Sequence, residues 1–189
     1  MSDTIRAIPR DELSPKLQES WDFVNRLTGQ AAFIEKGAHA PEILDFTMVD
    51  FYEKIFYGGR VDVKIKHLAR LRMSLGHGCR SCNLGNTVGA REAGYSQAEL
   101  EAIEGDRSIF SDAERDVLEL ADQFLMTNVH GHLEPELYGR LRRHFDDAQI
   151  VELGTVMSYL GGLAKMLFVF DMAEKEEYCQ FRPVAQAAE

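Results

Sequence analysis

Two cysteines three positions apart, Cys79 and Cys82, are the residues of this sequence whose type and spacing most directly suggest chemistry. They follow Gly76 and Gly78 and stand at the mouth of a segment with helical character. A helix start offers unbonded N–H groups and a partial positive charge, and both favour thiolate over thiol. Arg80 between the cysteines adds to that field. Residues three apart on a helix share a face, so the two sulfurs can come within bonding distance. The chemistry that follows is reversible disulfide formation, and the plain alternative is two small side chains packing a helix end. Zinc would need four ligands. Cys79, Cys82 and His77 lie close in sequence, His67 and Cys179 would have to fold in, and no second pair has metal spacing. No metal and no cofactor is expected. His130 and His132 flank a glycine in a loop, while His39 and His144 stand near helix ends, all ordinary solvated positions.

The elements that must position the cysteines are helical. Ser14-Pro15 to Gly29 has a cap, a first-turn proline and a stop, with Leu17, Trp21, Val24 and Leu27 at helical steps. A second block runs from Pro41 to Gly58-Gly59 with Ile43, Leu44, Met48, Phe51, Ile55 and Phe56 on one side. A third starts at Asp62 and carries Ile65, Leu68, Leu71 and Leu75 up to Gly76, and a fourth spans Cys79 to Ala93. Ser96 with Glu99 and Ser111 with Glu114 are capping boxes that open helices to Gly105 and to about Asn128. Pro135 to about Phe145 is another helix. The last runs from Asp146 to about Glu174, apolar nearly all round, which implies burial on several sides. No segment alternates with period two and no hairpin turn signal occurs. The fold class is all-α, a single-domain helical bundle, with residues 1–40 as a helical segment packed on a core of 41–174 and a tail of 175–189 that reads as an arm or a disordered end.

Composition narrows the partners. The chain has 189 residues, 21 basic and 31 acidic, for a formal charge of −10. That balance argues against nucleic acid and against an anionic membrane surface, both of which call for a basic face. The start of the chain lacks the apolar stretch of a secretory signal, and no apolar run has the length of a spanning segment. An odd number of cysteines, two of them three apart, fits an intracellular redox pair better than a secreted disulfide framework. A cytoplasmic protein is expected.

The stretch from Lys64 to about Ile103, followed by FSDAERDVLELADQFL and IVELGTVMSYLGGLAKM, resembles the carboxymuconolactone decarboxylase-like superfamily. The Cys-x-x-Cys pair resembles its alkylhydroperoxidase D-like branch, and the likeness covers most of the chain beyond Pro41. It implies an all-α bundle of that type, assembled as a homotrimer or homohexamer. It further implies hydroperoxide reduction through the pair, with a thiol reductant or reductase partner recycling the disulfide. By this resemblance Cys82 attacks the peroxide oxygen and Cys79 resolves the sulfenic acid. The branch pattern is a glutamate, eleven residues, Cys-x-x-Cys, three residues, then histidine. His67 stands at the glutamate position and Asn86 at the histidine position, so the cysteines match and the proton relay differs. Asn86 can hydrogen-bond a sulfur but cannot shuttle a proton. His67 takes over as base if its helix faces Cys82, and His77 is the other candidate. Glu152 stands where the family keeps a glutamate and is expected to pair with Arg70 or Arg72, with Arg72 bridging subunits. Tyr52, Phe56, Tyr57 and Tyr159 are expected in the core more than in a pocket.

Three functions are compatible with these residues. The first is a thiol-disulfide oxidoreductase, peroxidase-like, acting on a small hydroperoxide. The second is a non-redox decarboxylase-like lyase or isomerase acting on a small organic acid, with His67 or His77 as base. The third is a non-enzymatic oligomeric binding protein. On oxidation the expected disulfide is Cys79–Cys82 and not a link to Cys179.

Overall fold

Local capping decides where most helices begin. In the computed structural model, which describes residues 5–181, helix α1 (Pro15–Thr28) starts at Ser14, whose hydroxyl accepts from the Leu17 N–H, and stops at Gly29. Helix α2 (Ala32–Gly37) has no capping side chain and left no signal in the sequence. Helix α3 (Pro41–Asp45) runs without a break into a π-helix (Phe46–Tyr57). Helix α4 (Val63–His77) starts at Asp62, and helix α5 (Arg80–Glu92) starts at Cys79. Helices α6 (Gln97–Ala102), α7 (Asp112–Gln123) and α9 (Asp147–Val169) each open on a capping box, and α8 (Pro135–Leu141) opens on its proline. No strand occurs among the described residues, so the all-α expectation holds.

Helix α4 is the hub and packs on α5, α7 and α9. One side of it, Ala69 and Met73, meets Val117 and Leu120 of α7 and Leu153 and Met157 of α9. The other, Leu68 and Leu71, meets Ala90 of α5, Ile103 and Leu118. Helix α1 lies across α5, and its root is a smaller cluster of Leu13, Ile34 and Leu44 under Trp21 and Val24.

Several expectations need correction. The second block is largely a π-helix, whose buried residues Thr47, Phe51 and Phe56 recur at steps of four and five. That spacing matches i→i+5 bonding, and Ile43, in the α-helical turn before it, is exposed instead of sharing the buried side. Helix α7 stops at Gln123 instead of Asn128, and α9 stops at Val169. Beyond α9, Asp171 takes a positive φ of 50° and the chain turns back. Glu152 pairs with neither Arg70 nor Arg72. Its Oε1 accepts from the buried Lys66 ammonium at 3.1 Å and the Val61 N–H at 3.0 Å, and its Oε2 accepts from the Arg60 N–H at 2.7 Å. Burial alone would raise that carboxyl, but the two backbone N–H groups and Lys66 outweigh it and hold it below the ordinary range. Arg72 is spent within its own chain, on Asp122 at 2.5 Å and Glu104 at 3.6 Å. Among the described residues, α9 is the one helix that by length and composition would pass as a membrane span, with 23 residues. Its buried residues pack on α4, α7 and the π-helix as those of a core helix do.

Candidate active site

Helix α4 ends at Gly78, which takes φ 68° and would bring any side chain to 2.8 Å from Cys179 Cβ, so the turn into the cysteine pair needs glycine on both counts. The next residue, Cys79, is the N-cap of α5. Its sulfur is bonded to Cys82 at 2.03 Å, with the two Cα atoms 5.2 Å apart, and it accepts the Cys82 N–H at 3.3 Å. The expected pairing is therefore the one the fold contains, and Cys179 stays a buried thiol that donates to the His77 carbonyl at 3.1 Å. The two bonded sulfurs differ in access. Cys79 is fully buried, whereas Cys82 is half-buried and lines a cavity of about 550 Å³.

That cavity is apolar over most of its wall. Helix α1 contributes Phe23 and Leu27, the π-helix Tyr52 and Tyr57, and α9 Leu160 and Leu163. Its polar groups come mainly from the α4–α5 pair: Arg70, Ser74 and His77 on one helix, Ser81 and Asn86 on the other. Arg70, Ser74 and His77 recur at steps of four and three, a polar stripe on an apolar helix, and this was the signal in the sequence that could have marked Arg70 as a site residue. The contributions of α1 and α9 had no comparable local signature. Tyr57 lines the cavity and is exposed, contrary to its expected place in the core, Tyr52 lines the cavity while also packing on the core, and Phe56 and Tyr159 pack in the core as expected.

The candidate bases fare differently. His77 is buried, and its Nε2 accepts the Met126 N–H at 3.2 Å, so its proton resides on Nδ1. Burial, with Arg72 second, lowers its pKa to about 4. It stands on the cavity wall as a neutral donor, with its acceptor nitrogen already used. His67 does not reach Cys82. Its ring lies against Gly89, where a Cβ would stand 2.7 Å from it, and edge-on to Phe56 at 5.1 Å. Gly89 is seven residues beyond Cys82, about 10 Å along α5. The antiparallel run of α4 against α5 makes this unavoidable, because twelve residues back from Cys79 along α4 correspond to a point well along α5. The His67 Nδ1 is buried without a partner, and burial, with Arg70 second, lowers its pKa to about 4. Asn86 is one turn from Cys82 as expected, but it bonds Arg70 instead of a sulfur: its Oδ1 accepts from Arg70 Nε and its Nδ2 donates to the Arg70 carbonyl at 3.4 Å.

The chain after α9 covers the far side of the pair. Arg80 N–H donates to the Glu174 carbonyl at 2.9 Å, Glu176 N–H to the Gly78 carbonyl at 2.8 Å, and Glu174 N–H to Ser81 Oγ at 3.0 Å. An isolated antiparallel bridge joins Cys79 and Lys175. The tail expected from residue 175 is thus a strap over the cysteines as far as residue 181, and residues 182–189 lie outside the described residues. No group of three or more histidine, cysteine or acidic side chains suited to a metal occurs among the described residues.

Residues 41–123, from the start of α3 through the cysteine pair to the end of α7, match the model of the carboxymuconolactone decarboxylase family. Over that stretch the chain is similar to the carboxymuconolactone decarboxylase-like superfamily. Solved structures with the alkylhydroperoxidase D-like fold agree in architecture. The debrominase Bmp8, seen as a cysteine-to-alanine variant in complex with 2,3,4-tribromopyrrole, is 16% identical with a TM-score of 0.71, and 94% of each chain is covered. The alkylhydroperoxidase AhpD core of an uncharacterized peroxidase-related protein from Ralstonia eutropha JMP134 is 13% identical at a TM-score of 0.71, again over 94% of each chain. An uncharacterized peroxidase-related protein from Silicibacter sp. TM1040 is 17% identical at 0.70, covering 96% of this chain and 97% of its own. No curated protein matches the chain. At these identities the likeness is one of fold. Within this fold the chain holds its cysteine pair at an apolar cavity, and of the two relay positions His67 lies against Gly89 while Asn86 is bonded to Arg70.

Proposed function

We propose that the protein is a thiol-disulfide oxidoreductase that reduces a small apolar hydroperoxide inside the cavity. One observation carries the reading: the disulfide presents Cys82 to an apolar, ligand-sized cavity and keeps Cys79 buried behind it. In the reduced protein the Cys82 thiolate attacks the outer peroxide oxygen and breaks the O–O bond. The alkoxide leaves, takes a proton and departs as the alcohol, and Cys82 becomes a sulfenic acid. Cys79 displaces hydroxide from that sulfur, water is lost, and the disulfide forms. Two electrons from an external thiol reductant reset the pair. The Cys82 N–H that caps Cys79 makes Cys79 the better leaving group when that reductant attacks the accessible Cys82 sulfur. His77 would donate its Nδ1 proton as a hydrogen bond to the bound oxygen and would not act as a base. Such recycling fits a cytoplasmic setting, and the superfamily likeness supports a homotrimer or homohexamer.

The aromatic wall favours a second substrate class for the same thiols. A bromoaromatic such as the one in the Bmp8 complex would give its bromine to the Cys82 thiolate while the ring carbon takes a proton. Cys79 would then release bromide as it forms the disulfide. Both readings are tested by counting thiols in the reduced protein after one equivalent of cumene hydroperoxide or of 2,3,4-tribromopyrrole. The proposal expects two thiols lost per chain with one equivalent of cumyl alcohol, and none lost in Cys82→Ser. Bromide release instead selects the second reading. If neither compound consumes the thiols, the pair is not an oxidoreductase site and a non-redox lyase or a binding protein is favoured.

A further inference from the structure

Arg70 is a half-buried cation on the cavity wall, and no carboxylate pairs with it among the described residues. Its neighbour on α4, Arg72, has two acidic partners. A guanidinium that has lost part of its water needs a counter-charge or hydrogen-bond acceptors to offset that loss. Arg70 has one acceptor, Asn86 Oδ1, which takes its Nε. Its carbon lies 5.2 Å from the Phe56 ring centroid and 5.6 Å from that of Tyr52. These contacts fix the plane of the group while leaving its two terminal nitrogens without a protein acceptor among the described residues. A planar pair of N–H donors held in place is the geometry that binds a carboxylate with two parallel hydrogen bonds.

We propose that Arg70 is the anion subsite of the cavity, and that the cavity takes a flat apolar molecule bearing one carboxylate, with its reactive end at Cys82. The inference names the substrate class of the same site and so rests on the reading above. Asn86, which positions the guanidinium, stands four residues beyond Cys82, about 6 Å along α5. That offset is close to the separation of two groups para to one another on a single aromatic ring. The aromatic rings of Phe23, Tyr52 and Tyr57 supply flat walls for such a ring. Glu53 and Glu92 also line the cavity from exposed positions, and neither bonds Arg70. They would repel a second negative charge at the rim, so a mono-anion is selected over a di-anion.

The test is calorimetric titration of the oxidised full-length protein with 4-chlorobenzoate and with its neutral isostere 4-chlorobenzamide. The benzoate should bind at least about tenfold more tightly, as expected for a charge-assisted contact. Arg70→Gln should abolish that preference. Asn86→Asp, which sets a carboxylate against the guanidinium without removing it, should abolish it too while leaving the melting curve in place. Equal binding of the two compounds, no binding of either, or a preference that survives in a folded Arg70→Gln or Asn86→Asp protein would overturn the proposal. The oxidised protein performs no turnover, so this result is separate from the thiol count. Charge-selective binding without thiol loss sinks the oxidoreductase reading alone, and thiol loss without charge selectivity sinks the anion subsite alone.

Discussion

At the scale of single residues, Cys79 and Cys82 differ in access while sharing one bond. Cys82 lines the cavity, whereas Cys79 is buried and takes the Cys82 N–H. After reduction, iodoacetamide should therefore label Cys82 well before Cys79, as read by peptide mass spectrometry. Cys79→Ser should leave a Cys82 sulfenic acid that dimedone traps after peroxide, and labelling of Cys79 first would reverse the assigned roles. The histidines give a second prediction. His67 and His77 are held near pKa 4, below the 6.5 of a free imidazole, by burial first and by Arg70 or Arg72 second. Between those values the unfolded chain binds protons that the folded chain refuses. Stability is then complete above about pH 6.5 and falls as the pH drops toward 4, by on the order of 2 kcal/mol per histidine. Denaturant melts at pH 7 and pH 4.5 read this directly, and His67→Gln should shrink the difference. His67→Ala should leave Cys82 alkylation at its wild-type rate across neutral pH, because the ring lies two helical turns away. A hundredfold loss would restore it as the base.

Helices α4 and α5 form the element pair that builds the site, and α4 is anchored to its other neighbours at its far end. Lys66 and Glu152 join α4 to the start of α9, and the Lys66 ammonium also donates to the Ile55 carbonyl in the last turn of the π-helix at 2.8 Å. Removing one partner strands a buried charge. Glu152→Ala should cost about 3–5 kcal/mol in urea melts, whereas replacing both as Lys66→Met with Glu152→Gln should cost less. An equal loss in both proteins would show that the pair is not coupled. At the near end, the strap of residues 173–181 shields Cys79. A chain ending at Met172 should keep its helices by circular dichroism and lose its disulfide to dithiothreitol several-fold faster. An unchanged reduction rate would mean that the strap does not guard the pair.

At the scale of the whole molecule, α9 turns one row outward in the single chain, with a valine at each end, small residues between them and Lys165 interrupting it. Val151 is 68% exposed and Val169 59%, with Thr155, Ser158 and Gly162 exposed between them. The two exposed valines and the small residues near them offer a close-packing surface for the proposed homo-oligomer. Light scattering at micromolar concentration should give three or six times the 21.4 kDa chain mass. A monomer would remove the assembly proposal, and Val151→Lys should shift the mass downward if the row is the contact.

The sequence determined what local chemistry controls. Serine and aspartate caps set the starts of α1, α4, α6, α7 and α9, because a cap acts on N–H groups within three residues of it. The spacing of Cys79 and Cys82 allowed their disulfide for the same reason. Tertiary structure decided what depends on the relative placement of separate helices. The i→i+5 winding of Phe46–Tyr57 follows from seating Phe51 and Phe56 against Val156 and Tyr159, contacts a hundred residues apart that no local period records. The partner of Glu152 proved to be Lys66, since α9 crosses α4 one turn away from Arg70. His67 and Asn86 matched a relay by counting, yet the antiparallel α4–α5 pair carried His67 away from the sulfur and brought Arg70 to Asn86. Counting along the chain measures distance within one helix, whereas a site at the junction of several helices is set by how their faces pack.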